Sequence, residues 1–137
     1  MAEGRREHKL YDIVDLPKSK NWITDGAVTD VKNQGYCGSS WAYAAASAIE
    51  SAHFVIEREL NPLSTQQLID CVPAIAGNGC GSIQSVDDVF AYAKDNLVMK
   101  ESDYPTTGKS SDKCYDDEDK GKIKLQNVIY PTPKNPS

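Results

Sequence analysis

Gln34-Gly35-Tyr36-Cys37-Gly38-Ser39-Ser40-Trp41-Ala42 decides how the chain is read. Two glycines and a cysteine make a tight lead-in, and two serines then open the strongest helical pattern in the sequence. A group at position 40 falls at a helix N-terminus, where unpaired N–H groups and the macrodipole place partial positive charge. An anionic nucleophile is best supported there. Gln34, six residues upstream, can turn its side-chain amide toward the same spot and donate to a developing oxyanion.

Working outward, the spacing predicts a central helix from about Ser39 or Ser40 to Glu59. Trp41, Ala45, Ala48, Ala52 and Val55 recur every three or four residues, and Ala44, Ile49 and Ile56 widen the stripe. A helix apolar over this much of its circumference is expected to be buried, with its charged end, Glu57-Arg58-Glu59, in solvent. Upstream, Val28 and Val31 flank an expected turn. Downstream, Ser64 with Gln67 three residues later is a capping-box signature for a short helix ending near Cys71. Residues 72–85 form a loop holding Gly77, Gly79 and Gly81. A second amphipathic helix is expected from Ser82 to about Leu97, with Val86, Phe90, Ala93 and Leu97 on one side, Val89 adjacent, and Asp87 and Asp88 in the first turn. The alternation from Ile123 to Tyr130 predicts a strand.

Composition bounds the function. With 137 residues, 39% hydrophobic and 26% charged, the chain suits one soluble globular domain. A net charge of −5 argues against nucleic acid or an anionic membrane surface as the main partner. No apolar run reaches transmembrane length, and Met1–Lys9 lacks the apolar stretch of a signal peptide. Four cysteines allow three pairings, reduced thiols or metal ligation. Zinc is disfavoured, since no Cys-x2-Cys pair exists and neither histidine stands near a cysteine. The acidic run Asp116-Asp117-Glu118-Asp119 lacks the alternation of a calcium loop and reads as a solvated loop. No metal and no cofactor is expected.

The opening stretch resembles the nucleophile segment of the papain-like cysteine proteases, of cathepsin L and papain type, where the pattern is Gln-Gly-x-Cys-Gly-Ser-Cys-Trp-Ala. The similarity continues upstream through Gly26-Ala27-Val28-Thr29-Asp30-Val31-Lys32-Asn33-Gln34, although Trp22 follows an apparent insertion of residues 16–21. Downstream it runs through Leu63-Ser64-Thr65-Gln66-Gln67-Leu68-Ile69-Asp70-Cys71 and Tyr104-Pro105. The resemblance implies a mainly α fold: the papain-like left domain, over residues 10–130, built on a buried central helix with short strand segments. Residues 1–9 would be an N-terminal extension and residues 131–137 a connection toward the family's β-rich right domain. It also implies the pairing Cys37–Cys80 and Cys71–Cys114, worth roughly 4 kcal/mol per bridge in the chain-entropy model. That points to an oxidising compartment, secreted or vacuolar/lysosomal. Gln34 becomes the oxyanion donor, Ser40 the nucleophile position, and Gly38, Trp41, Gly79 and Gly81 substrate-binding positions.

Two departures matter. Ser40 stands where the family has its catalytic cysteine. Gly79-Cys80-Gly81-Ser82 stands where the family has Gly-Cys-x-Gly-Gly, so one residue is missing and one glycine is a serine. The family's catalytic histidine and asparagine lie in the right domain. His53 cannot replace that histidine. It follows Ser40 by thirteen residues, which on a helix is ~20 Å along the axis and ~220° around it. His8 sits in the N-terminal extension and is no better placed. The expected function is therefore a non-catalytic homologue, a protein-binding module whose partner is a protein or peptide, with a homodimer or a complementary protease half covering its exposed face. The alternative is one chain of a papain-like endopeptidase with its nucleophile replaced by Ser40, the histidine and asparagine being supplied by another chain.

Overall fold

A computed structural model describes residues 15–75 and 77–129. The expected N-terminal extension (residues 1–9), the expected C-terminal connection (residues 131–137), His8 and Tyr130 lie outside the described residues. Helix α1 spans Ser40–Glu57, α2 Thr65–Cys71 and α3 Val86–Asp95. Strand β1 (Val98–Met99) pairs antiparallel with β2 (Gly121–Ile123), Val98 opposite Ile123 and Met99 opposite Gly121. The fold is thus mainly α with a two-stranded ribbon, as the resemblance implies. No helix among the described residues is long and apolar enough to cross a membrane.

α1 forms because its first turns are alanine-rich, with high helix propensity. It stops at Arg58, which turns left-handed (φ 59°) and donates its N–H to the Phe54 carbonyl at 2.8 Å. Trp41, Ala42, Ala45, Ala46, Ile49 and Glu50 are buried. Those positions are two adjacent rows on one face, covered by α2 and α3.

The expected stripe holds at three of its eight positions, Trp41, Ala45 and Ile49. Ala44, Ala48, Ala52, Val55 and Ile56 are exposed. Side and length together explain the difference. α2 and α3 cover one side of α1, which leaves Ala44 and Ala48 bare, and at about 1.5 Å per residue they run some 10 and 15 Å against some 27 Å for α1, which leaves its C-terminal half less covered.

α2 is a polar hub rather than an apolar peg. The Ser64 Oγ accepts the Gln67 N–H at 2.9 Å, as a cap should. The Gln67 side chain does not return to the cap, so the box is half formed. Its Oε1 accepts the Met99 N–H at 2.7 Å, and its Nε2 donates to the Leu97 carbonyl at 3.0 Å and the Tyr92 hydroxyl at 3.1 Å. Gln66 donates to Asp70 and to the Lys109 carbonyl and accepts the Thr107 N–H. Asp70 accepts the Ser111 N–H and the Tyr104 hydroxyl, both at 2.8 Å. Buried polar groups must be paired, and here each pairing ties a distant loop to the helix.

α3 begins later than the periodicity predicts. Ser85 and Asp88 form a full capping box, and Ser82 is bound into a turn by two bonds to the Asn78 carbonyl, at 2.9 Å (N) and 2.7 Å (Oγ). Val89 and Ala93 are buried, whereas Val86 is 41% exposed. The helix ends where Asn96 folds its N–H and its Nδ2 back onto the Tyr92 carbonyl.

The expected strand from Ile123 to Tyr130 is displaced. Pairing covers residues 121–123, after which the Leu125 N–H leaves the ribbon to bond the Ala93 carbonyl at 2.8 Å. Gly121 permits the ribbon, since a Cβ there would lie 2.2 Å from the Leu97 Cβ. The Val28–Val31 turn is also absent. That segment has no turn hydrogen bonds, and Val31 is fully exposed.

Candidate functional site

Cys37 and Cys80 are joined, as are Cys71 and Cys114, each pair 43 residues apart in sequence. This is the pairing the resemblance implies. The first bond fastens the nucleophile segment to the glycine loop, and the Gly38 N–H reinforces it by donating to the Cys80 carbonyl at 3.1 Å. A Cβ at Gly38 would stand 2.8 Å from that carbonyl oxygen, and one at Gly79 would stand 2.1 Å from the Ile69 carbonyl oxygen. Both glycines are therefore needed for backbone to meet backbone.

Ser40 is the first residue of α1 and is exposed. The Ser39 carbonyl accepts the N–H groups of Ala42 (2.9 Å) and Tyr43 (3.2 Å). Ser39 gives α1 no side-chain cap, because its hydroxyl turns back to the Cys37 carbonyl at 3.3 Å. The Ser40 N–H has no hydrogen-bond partner among the described residues, and it points as the first N–H of a helix does. Gln34 is exposed, its carbonyl accepts the Cys37 N–H at 3.4 Å, and its side-chain amide has no hydrogen-bond partner among the described residues. Gly35 follows in the left-handed region (φ 63°), its N–H held by Asn33 Oδ1 at 2.8 Å, and so reverses the chain toward Cys37.

The other expected site residues divide by depth. Gly38 and Gly81 are at the surface. Trp41 lies in the core with 6% of its surface exposed, and Gly79 is buried against Ile69. The Gly81 and Ser82 N–H groups are both spent on the Asn78 carbonyl. Ile83, next along this rim, is exposed.

The sole imidazole among the described residues, His53, sits in the C-terminal half of α1. Its Nε2 is 3.7 Å from Glu59 Oε2 and has no hydrogen-bond partner. Lys122, 3.2 Å from the other Glu59 oxygen, holds that carboxyl below its ordinary range, with Asn61 and His53 assisting. Asp117 of the acidic run caps a 3-10 turn, Glu118–Lys120, by accepting the Asp119 N–H at 3.0 Å. Cys71, Cys114 and Asp116 come close together, but the two sulfurs are bonded to one another and offer no thiolate.

One residue was passed over in the sequence. Glu50 is 1% exposed, on the core face of α1. Its carboxylate accepts the Leu63 N–H at 2.8 Å and the Thr29 hydroxyl at 2.6 Å, with Lys32 Nζ at 3.6 Å. The signal was present: an acid four residues after Ala46, on the same helical row as the core.

Fold and site together define a disulfide-bonded helical domain of the cysteine-protease type, with Ser40 exposed at the N-terminus of α1. The sequence profile of the papain family cysteine proteases matches residues 16–135. The chain belongs to that family. It is 47% identical over 114 residues to a probable cysteine protease, RD19C, of Arabidopsis thaliana, covering 77% of this chain and 30% of that protein. It is 44% identical over 98 residues to a cathepsin L-like proteinase of Phaedon cochleariae, covering 72% of this chain and 30% of that one. Among solved structures, digestive procathepsin L 3 of Tenebrio molitor larval midgut superposes with a TM-score of 0.71 at 32% identity, over 88% of this chain and 38% of that one. The chain thus spans about a third of the length of the relatives it matches. Its two disulfides fit an oxidising compartment.

Proposed function

We propose that this chain is a non-catalytic papain-family module that binds a protein or peptide partner in a secreted or vacuolar/lysosomal compartment. The observation that carries the reading is Ser40 at the nucleophile position. A helix N-terminus contributes about 0.3–2 kcal/mol to an anion. That assists a thiol with an ordinary pKa of about 8.5. It cannot ionise a serine hydroxyl without a positioned base, and His53 is some 20 Å away along the helix. The surface to be covered is the exposed edge of α1, Ala44, Ala48, Ala52, Val55 and Ile56. Beside it, Ile49, Ile56, Ile123, Leu125 and Ile129 line a groove of about 460 Å³. Exposed apolar surface of this kind marks an interaction face.

The same edge favours a second reading, in which the face docks a complementary protease half that supplies the base. The Ser40→Cys variant separates the two. On the first reading the variant chain alone neither turns over a fluorogenic dipeptide substrate nor reacts selectively with an epoxide thiol probe. Turnover by the isolated variant would overturn it. Turnover only on adding a histidine-bearing half-domain would establish the second. Sedimentation tests a homodimer, which a monomer at high concentration would exclude.

A further inference from the structure

We propose that Glu50 is a positioning residue: its buried carboxylate moors the arm that carries Gln34, so that one helix sets both the nucleophile position and the amide facing it. The functional meaning of the mooring rests on the oxyanion reading of Gln34.

The arm has little else to hold it. Ala27 is buried and its N–H is bonded to the Trp22 carbonyl, and Cys37 is fixed by its disulfide. Between them, residues 28–36 make one main-chain hydrogen bond to the rest of the described chain, the long one from the Cys37 N–H to the Gln34 carbonyl at 3.4 Å. Val28, Val31 and Tyr36 point their side chains into solvent. What reaches inward is Thr29, whose hydroxyl donates to Glu50 Oε2 at 2.6 Å, and Lys32, whose Nζ donates to Thr29 Oγ1 at 2.6 Å and stands 3.6 Å from Glu50 Oε2. Gln34 is two residues beyond Lys32.

Packing alone does not ask for an acid here. The other buried positions of α1 are Trp41, Ala42, Ala45, Ala46 and Ile49, and an ion among them is costly unless paired. Glu50 is paired twice over. One oxygen serves the arm and the other holds the Leu63 N–H ahead of α2. Glu50 and Ser40 belong to the same helix, ten residues apart, so the arm is tied to the element that carries Ser40.

The test uses the full chain with Thr29→Val and Lys32→Met, changes on the arm that leave Glu50 and Leu63 paired, and Glu50→Gln as the direct variant. Backbone 15N order parameters are measured for residues 29–35. Mooring predicts a fall from rigid values near about 0.85 to below about 0.6 in the arm, with α2 and α3 unchanged. An arm equally rigid in all three variants overturns the proposal.

A second measurement reads function. In the Ser40→Cys background, a peptide aldehyde binds by adding the thiol across its carbonyl: the S–C bond forms, and the carbonyl oxygen takes the proton and sits where an oxyanion would. Lys32→Met should weaken aldehyde binding about fivefold or more while leaving iodoacetamide alkylation, which forms no such oxygen, at its original rate. If the arm loosens but aldehyde affinity is untouched, positioning is refuted. If Gln34→Ala also leaves that affinity unchanged, the oxyanion reading fails, and the mooring then stands or falls on the order parameters alone.

Discussion

The Gly38 N–H and the Cys80 carbonyl oxygen lie 3.1 Å apart, a main-chain hydrogen bond running beside the Cys37–Cys80 disulfide. It binds the loop before α1 to the rim opposite, and it exists only because position 38 has no side chain. Gly38→Ala would put a Cβ 2.8 Å from that oxygen, and backbone cannot swing away as a flexible side chain can. The variant should lose about 1–3 kcal/mol, read as a lower urea midpoint with an unchanged m-value.

Gln67, itself buried, makes three side-chain hydrogen bonds, two of them to backbone groups at Leu97 and Met99. Gln67→Leu keeps the volume and orphans those groups. A loss of about 2–4 kcal/mol is expected, because each unsatisfied buried group costs about 1–3 kcal/mol. Gln126→Leu, at an exposed position, should stay within about 0.5 kcal/mol of the parent. Equal effects from the two would refute the hub role of α2.

Burial pushes the Tyr104 phenol above its ordinary value. The Tyr115 N–H bonded to its oxygen works the other way, and the Asp70 carboxylate, 2.8 Å away, adds to the rise. The folded state therefore holds this proton more tightly than the unfolded chain. The stability it contributes is complete below the unfolded phenol value of about 10 and is lost as pH rises from there through the folded one. Thermal unfolding from pH 8 to 11.5 should show this alkaline decline. Tyr104→Phe should be less stable at pH 8, since Asp70 and the Tyr115 N–H lose a partner, with a shallower alkaline slope. A parallel decline in the two proteins would exclude Tyr104 as its source.

Replacing Cys71 and Cys114 together by alanine should cost about 2–5 kcal/mol. The loss should be largest for the segment 104–115, which leans on α2 through Asp70 and Gln66. Hydrogen exchange of the Thr107 and Ser111 amides should quicken before that of α3 amides. Uniform acceleration would mean the bridge acts on the whole fold alike.

Residues 34–42 carry chemistry that only a few backbones satisfy, so the family and the start of α1 were legible from them. Ser64 marked α2 correctly because a cap is a local signal. Two kinds of feature were not legible. Boundaries set by competition were missed: Ser82 and Ser85 look alike in sequence, and the Asn78 carbonyl claims the first while Asp88 pairs with the second. The facing of α1 was largely missed because alanine fits a core and a surface equally well. Ala45 and Ala48 became opposites only when the placement of α2 and α3 fixed which side of α1 was covered. Glu50 shows the remaining blind spot, a charged residue whose partners, Thr29, Lys32 and Leu63, come from both sides of it in sequence.

The spans of the two cystine bridges overlap, 37–80 with 71–114. A peptidase that cut this chain once, anywhere between Cys37 and Cys114, would release nothing. Whichever bond it chose, at least one bridge would still join the two pieces, and across residues 71–80 both would. Such a nicked molecule would migrate as the intact chain on a gel until a reductant was added.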